Sequence, residues 1–325
     1  MQAIKPYTQV FDDVSNPDIL KKIELCGRVC YKSEAKIKDG SAEKFVSALI
    51  KRGHEAVLEH GSFIFKLSEE LYTDLQKGII YMEDNSEFKS FLRFTHDKTP
   101  IVSGNVRAWR SFFKAHYEMA NNLPLVMKDF IQNNPILFPE FQDVGYIRLL
   151  ESYKMVQITT ADLETELEKL VHHDVTVKFV VDRGITHEIV RHRPASYCQE
   201  STRYCNYSKD DFGSEITVII PPYLDYKSAA WNAWVEAMKN AEKSYFELLN
   251  IGLTAQEART VLPTGLKTEL VMTANLAEWK WFFELRTAPA AHPQIVEVAK
   301  PLLDEMNELF PNIFDKVGEI DGKQK

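Results

Sequence analysis

A mixed fold of strands and helices is predicted by three features of the sequence. Asp174 to Val181 alternates, with Val175, Val177, Phe179 and Val181 on one side, and Ser62 to Leu67 also reads as a strand. Apolar residues recur at helical spacing along much of the remainder. The 325 residues, 45% of them hydrophobic and 26% charged, suffice for a sizeable core in one large domain or two modest ones.

Taken in order, Asn16 to Tyr31 reads as an amphipathic helix offering Ile19, Leu20, Ile23, Leu25, Cys26 and Val29 to a core. Ser41 places a hydroxyl at a helix start, and Phe45, Ala48 and Leu49 continue a buried stripe towards Gly53. The stretch of about 100 residues from 68 to 172 is too long for a plain loop and should carry its own helices. Glu69 to Tyr81 and Ser103 to Met119 have the spacing for them, and Asn133-Asn134-Pro135 marks a break. Ile185 to Arg193 is helix-compatible, and Pro194 should end that helix. Ile216 to Ile220 is a strand closed by Pro221-Pro222. Trp231 to Asn250 is a helix with an Asn-Ile-Gly stop, and helices follow at Thr254 to Leu262, Ala274 to Arg286 and Pro293 to Leu309. The polar tail 318–325 should fray. There is no internal repeat and no low-complexity tract.

A net charge of −8 and a pI near 5.7 argue against a general nucleic-acid binder. No window approaches the roughly 18 consecutive apolar residues of a membrane span, and Met1 to Asp13 lacks a signal-peptide core. Four cysteines, Cys26, Cys30, Cys198 and Cys205, do not suggest a disulfide scaffold, so a reduced cytoplasmic protein is expected.

Within this acidic chain, Arg191-His192-Arg193-Pro194-Ala195-Ser196-Tyr197-Cys198-Gln199-Glu200-Ser201-Thr202-Arg203-Tyr204 concentrates fixed cations and hydroxyls. Guanidinium forks suit phosphate, and hydroxyls add neutral donors. If the chain runs extended beyond Pro194, Gln199, Ser201 and Arg203 share one face, suited to an anionic ligand. Cys198, Glu200, Thr202 and Tyr204 then take the other. The competing structural reading is a solvated basic helix end whose arginines pair with Glu188 and Glu200.

Arg-His-Arg, seven residues, Ser, x, Arg-Tyr resembles the signature of the flavin-dependent thymidylate synthases. Gly53-His54-Glu55-Ala56-Val57-Leu58-Glu59-His60 resembles that family's Gly-His-Glu box. A zinc site is excluded there, because His54 and His60 are six apart and a helix would turn them to different sides. No other metal cluster is expected. Ala258-Arg259-Thr260-Val261-Leu262-Pro263, Thr273-Ala274-Asn275-Leu276 and Phe283-Glu284-Leu285-Arg286 resemble three further elements of the family. Local readings also exist: Asn275 as a helix cap and Arg286 as a favourable cation at a helix end.

The resemblance implies a single α+β domain over 1–325, with a twisted, mainly antiparallel sheet flanked by helices and a helical insertion at about 68–172. It implies reductive methylation of dUMP to dTMP, with methylenetetrahydrofolate as carbon donor and FAD passing hydride from NADPH. By the same resemblance Arg286 and His54 are catalytic. Ala56, Glu59, Arg191, His192, Arg193, Gln199 and Asn275 contact the cofactor. Glu188, Arg191, Gln199, Glu200, Ser201, Thr202, Arg203, Arg259 and Arg286 contact the nucleotide. A homotetramer with sites at subunit interfaces is implied, with no nucleic-acid or membrane partner. The sequence departs from the pattern at Glu188, commonly glutamine, at Trp281, often asparagine, and at Ala291-His292, often Ala-Gln.

The rival readings are another phosphate-binding nucleotide enzyme and a nucleotide- or RNA-binding module. A catalytic thiol would be Cys198 or Cys205 beside Arg203, against ordinary packing for both. His172-His173 reads as a solvated strand edge and is assigned no role.

Overall fold

A computed structural model describes residues 1–11, 18–81, 91–120, 122–208, 213–315 and 317. The tail 318–325 and the expected helix start at Asn16 lie outside them. The architecture is α+β, with two four-stranded antiparallel sheets rather than the single sheet expected. The first sheet has the order Ser196–Gln199, Lys267–Asn275, Asp174–Asp182, Tyr7–Val10. The second has the order Leu92–His96, Pro100–Asn105, Ser62–Leu67, Met155–Ile158. Two short parallel pairs add Gln2–Ile4 to Thr217–Ile219 and Leu123–Pro124 to Tyr146–Ile147.

Sequence reading missed Tyr7–Val10, Leu92–His96, Pro100–Asn105, Met155–Ile158 and, most centrally, Lys267–Asn275, which is buried on both faces. Leu270, Met272 and Ala274 join Val175, Val177 and Phe179 beneath the helices Leu276–Arg286 and Pro293–Leu309. Val271 instead joins Ile23, Cys26 and Val29 of the helix Ile19–Tyr31 in a second core. A strand with apolar contacts on both sides loses its alternation. Lys267 and Glu269 disguise it further, because they form a largely buried ion-pair network with Lys32 and Glu200.

The segment expected to be a helical insertion is mixed. It carries the helices Glu69–Tyr81 and Val106–Ala120, the second starting three residues later than expected because Pro100–Asn105 is a strand. Two of its strands, Pro100–Asn105 and Met155–Ile158, flank Ser62–Leu67, and Leu92–His96 lies beyond the first. A dense aromatic group of Phe63, Phe65, Trp109, Phe113, Phe130 and Phe138 welds the segment to that strand. The expected break at Asn133-Asn134-Pro135 follows the short helix Lys128–Gln132. His172 is not solvated: it is 1% exposed, its ring nitrogens 2.8 Å from Thr95 Oγ1 and 2.7 Å from Ser103 Oγ. His173 is buried as well. The helices Ala229–Ile251 and Pro293–Leu309 lie close to their expected spans. No helix of the described residues is long and apolar enough to cross a membrane.

Candidate active site

Gly53 has φ +68°, a conformation that L side chains rarely adopt, and it turns the chain out of the helix Ser41–Lys51. The tight turn Glu55–His60 follows, and His54 before it and His60 at its end lie on different sides. His54 is exposed, its Nδ1 3.4 Å from the Tyr31 hydroxyl. His60 is fully buried with Nδ1 2.7 Å from Thr273 Oγ1, and burial pushes its pKa down to about 3. Ala56 lies at the surface. Glu59 accepts a hydrogen bond from Arg107 at 2.7 Å, and Glu55 accepts from Arg110 at 3.1 Å.

The helix after Asp174–Asp182 runs Arg183–Ile189, starting where Asp182 accepts from the Ile185 amide at 2.9 Å. It stops four residues before Arg193, earlier than expected. The Tyr197 hydroxyl is 3.0 Å from the Ile189 carbonyl and 2.8 Å from that of His192, where it satisfies acceptors that a continuing helix would use. Alternation beyond Pro194 holds as far as Arg203: Ser196, Cys198, Glu200 and Thr202 are buried, Gln199 and Ser201 half-buried, and Arg203 exposed. It fails at Tyr204, which is 60% exposed, because the Tyr204 and Cys205 amides turn back onto the Ser201 carbonyl.

Glu200 and Thr202 thus lie on the face opposite Gln199, Ser201 and Arg203. The Glu200 carboxylate accepts from Lys267 at 3.0 Å and from the Tyr207 hydroxyl at 3.1 Å. His192 is also interior, against Phe282 and 3.3 Å from the Glu278 carboxylate. Burial, and then the nearby Arg286, push its pKa down to about 4. The side chains of Glu200, Thr202 and His192 are thus all buried within the protein. The cysteines are free thiols. A hydrogen bond with Cys30 and burial raise Cys198, and burial raises Cys205 to about 12, so both pack as neutral thiols.

Asn275 does cap its helix: Oδ1 accepts from the Glu278 amide at 2.9 Å and Nδ2 donates to the Val171 carbonyl at 3.1 Å. Arg286 Nη2 donates to the Glu188 carbonyl at 3.0 Å, and Nη1 lies 3.7 Å from the Glu188 carboxylate. The charge introduced by Glu188 is therefore answered by Arg286, not by Arg191 or Arg203. Arg286 Nε is buried without a hydrogen-bond partner among the described residues. Arg191, Arg193, Arg203 and Arg259 have exposed side chains, and Trp281 is 50% exposed.

A groove of about 670 Å³ is lined by Glu59, Phe91, Arg193, Pro194, Ala195 and Tyr197. A cavity of about 30 Å³ shares Glu59, Phe91, Pro194 and Ala195 with it and adds Arg93, Asn105, Asp174 and Asn275. The Gly-His-Glu box, the Arg-His-Arg turn and the Asn275 cap therefore meet, although they lie far apart in sequence. Arg259 stands elsewhere, in a turn after Ala255–Ala258. Sequence reading had missed Phe91, Arg93, Asn105 and Asp174. Arg93 grips the Asp174 carboxylate at 2.5 and 2.8 Å, and Ser62 adds a third bond at 2.6 Å. Burial alone would raise that carboxyl, but the guanidinium and hydroxyl hold it below its ordinary value. Among the described residues no three His, Cys, Asp or Glu side chains are grouped as a metal would need.

A family profile described as thymidylate synthase complementing protein matches residues 13–74 and 165–312, more than half of the chain. The chain belongs to that family. Residues 75–164 lie outside the matched segments, yet their Arg93, Arg107 and Arg110 pair with Asp174, Glu59 and Glu55 inside them. A flavin-dependent thymidylate synthase of Pyrococcus furiosus is 34% identical over 160 residues, covering 46% of this chain and 65% of its own length. The enzyme of the same name from Pyrococcus abyssi is 36% identical over 152 residues, 45% of this chain and 61% of its own. That of Sulfurisphaera tokodaii is 36% identical over 138 residues, 42% and 51%. The chain thus spans between about half and two thirds of the length of these relatives.

Proposed function

We propose that this protein makes dTMP by reductive methylation of dUMP, taking the methylene of methylenetetrahydrofolate and reducing equivalents from NADPH through FAD. The observation that carries this reading is the meeting of Glu59 and Arg193 at one groove whose volume, about 670 Å³, is in the range of small-molecule sites, beside a small cavity that shares Glu59 and is lined by the Asn275 cap. The residues fit a flavin nucleotide. Arg193 offers an exposed fixed cation at the groove wall, Phe91 and Tyr197 offer flat apolar surface, and Asn105 Nδ2 and Arg93 Nε are donors with spare capacity. FAD supplies the hydride chemistry when bound.

The chain's own part is position and field. Arg203, Ser201 and Gln199 present charge-assisted and neutral donors on one face for the oxygens of dUMP. Arg286, held at Glu188, stabilises negative charge developing on the uracil ring as C5 becomes nucleophilic. His54, exposed beside Tyr31, belongs to the folate side with the Ala56 backbone. No enzymic nucleophile is required, in keeping with the neutral state of Cys198 and Cys205. Arg191 and Arg259 would complete the nucleotide site across an interface in a homotetramer. The reading takes 1–325 as one cytoplasmic domain of the flavin-dependent thymidylate synthase fold, elaborated at about 68–172.

Purified protein should be yellow or take up FAD, with bands near roughly 370 and 450 nm, and convert dUMP to dTMP with methylenetetrahydrofolate and NADPH. Colourless protein that refuses FAD and forms no dTMP overturns the reading. Arg203→Ala should weaken dUMP binding by about 1–3 kcal/mol without loss of fold, because the side chain is exposed and bonds charge-assisted to phosphate. Calorimetric titration with dUMP checks this, and unchanged affinity removes the role.

A further inference from the structure

We propose that the segment outside the matched family residues builds part of the ligand site: the Asn105 amide and the Phe91 ring hold one edge of a planar heterocycle carrying carbonyl oxygens. The proposal rests on the function proposed above, in which two ligands have that chemistry, the flavin and the folate pterin.

Asn105 is 4% exposed. Its Oδ1 is committed, accepting from the Ala108 amide at 2.8 Å at the start of the helix Val106–Ala120. Its Nδ2 has no partner among the described residues, and it lines the small cavity beside Arg93, whose Nε is likewise buried and unpartnered. A buried donor left unsatisfied costs about 1–3 kcal/mol, so two of them on residues that line one cavity call for an acceptor there. The cavity, about 30 Å³, has room for one water or one oxygen atom of a larger ligand. It shares Phe91 and Glu59 with the groove of about 670 Å³, which takes the rest of such a ligand.

The donor is also well anchored. Asn105 pairs with Ser62 across the sheet, and the next amide, that of Val106, donates to the Gly61 carbonyl at 2.8 Å. The added segment is thereby stitched to the end of the Gly-His-Glu box. Phe91, half-buried at the groove wall, presents the apolar face on which a ring system packs.

Asn105→Asp keeps an acceptor for the Ala108 amide, and so the helix start, but deletes the donor. Phe91→Ala deletes the ring at a wall position. FAD affinity would be read by flavin fluorescence, tetrahydrofolate affinity by calorimetry on FAD-loaded protein, and thermal midpoint on the same samples. Each variant should lose about tenfold or more in affinity for one of the two ligands, the ligand affected identifying which ring is held. Either folded variant binding both ligands within about twofold of wild type overturns the proposal and leaves the proposed function intact. Should Asn105→Asp fail to fold, Phe91→Ala decides alone. Wild-type protein that takes up no FAD defeats the function and this inference together.

Discussion

Arg286→Ala is expected to lower dUMP turnover by about 10²–10³-fold, the usual effect of removing one preorganised donor from a developing anion. FAD content should stay close to that of wild type. The arginine is suited to the role because it is held rather than floppy. Its side chain is 20% exposed, with the guanidinium hydrogen-bonded to the Glu188 carbonyl and close to the Glu188 carboxylate. Its Nε remains without a partner among the described residues, so binding capacity is left over. Glu188 has a matching duty: it holds the guanidinium from the end of the helix Arg183–Ile189. Steady-state turnover and flavin absorbance on the same preparation separate the two effects. Full turnover in the variant would contradict the assignment to the pyrimidine, and equal losses of flavin and turnover would show a merely structural arginine.

Acid should destabilise the fold well above the carboxylate range. His60 and His172 are buried and pushed down to about 3, by burial first in each case, against an ordinary value of 6.5. Between those values the unfolded chain binds a proton at each position and the folded chain does not. Stability is therefore complete above about pH 6.5 and falls as pH drops towards 3. Each histidine removes about 1.4 kcal/mol per pH unit, so the pair removes about 4 kcal/mol by pH 5. That is a large fraction of the stability of an ordinary domain. Urea midpoints at pH 7.5, 6 and 5 measure it, with His172→Gln expected to make the slope shallower by about a third, since His192, pushed down to about 4, adds to the pair, while glutamine keeps a polar group between Thr95 and Ser103. A wild-type profile flat from pH 7.5 to 5 would refute neutral burial of both rings.

Much of the secondary structure was legible locally. Ser62–Leu67, Glu69–Tyr81 and Pro293–Leu309 have the predicted bounds, because alternation, helical spacing and a proline at a helix start are nearest-neighbour properties. The exposure of Arg203 opposite Glu200 and Thr202 was legible for the same reason. Lys267–Asn275 was not, since burial on both faces and paired charges erase the period. The early end of Arg183–Ile189 depends on the hydroxyl of Tyr197, eight residues beyond Ile189, which no helix rule anticipates.

By itself the chain's order of residues determined its longer helices and a few of its strands, the charge gathered between 191 and 203, and the boxes that mark its family. Tertiary structure alone decided that His60 reaches Thr273, that Arg286 answers Glu188, and that Arg93 crosses 81 positions to grip Asp174. The division has a physical cause. Periodicity and caps act within a few residues, whereas a buried polar group takes its partner from whichever strand or helix the packing brings beside it.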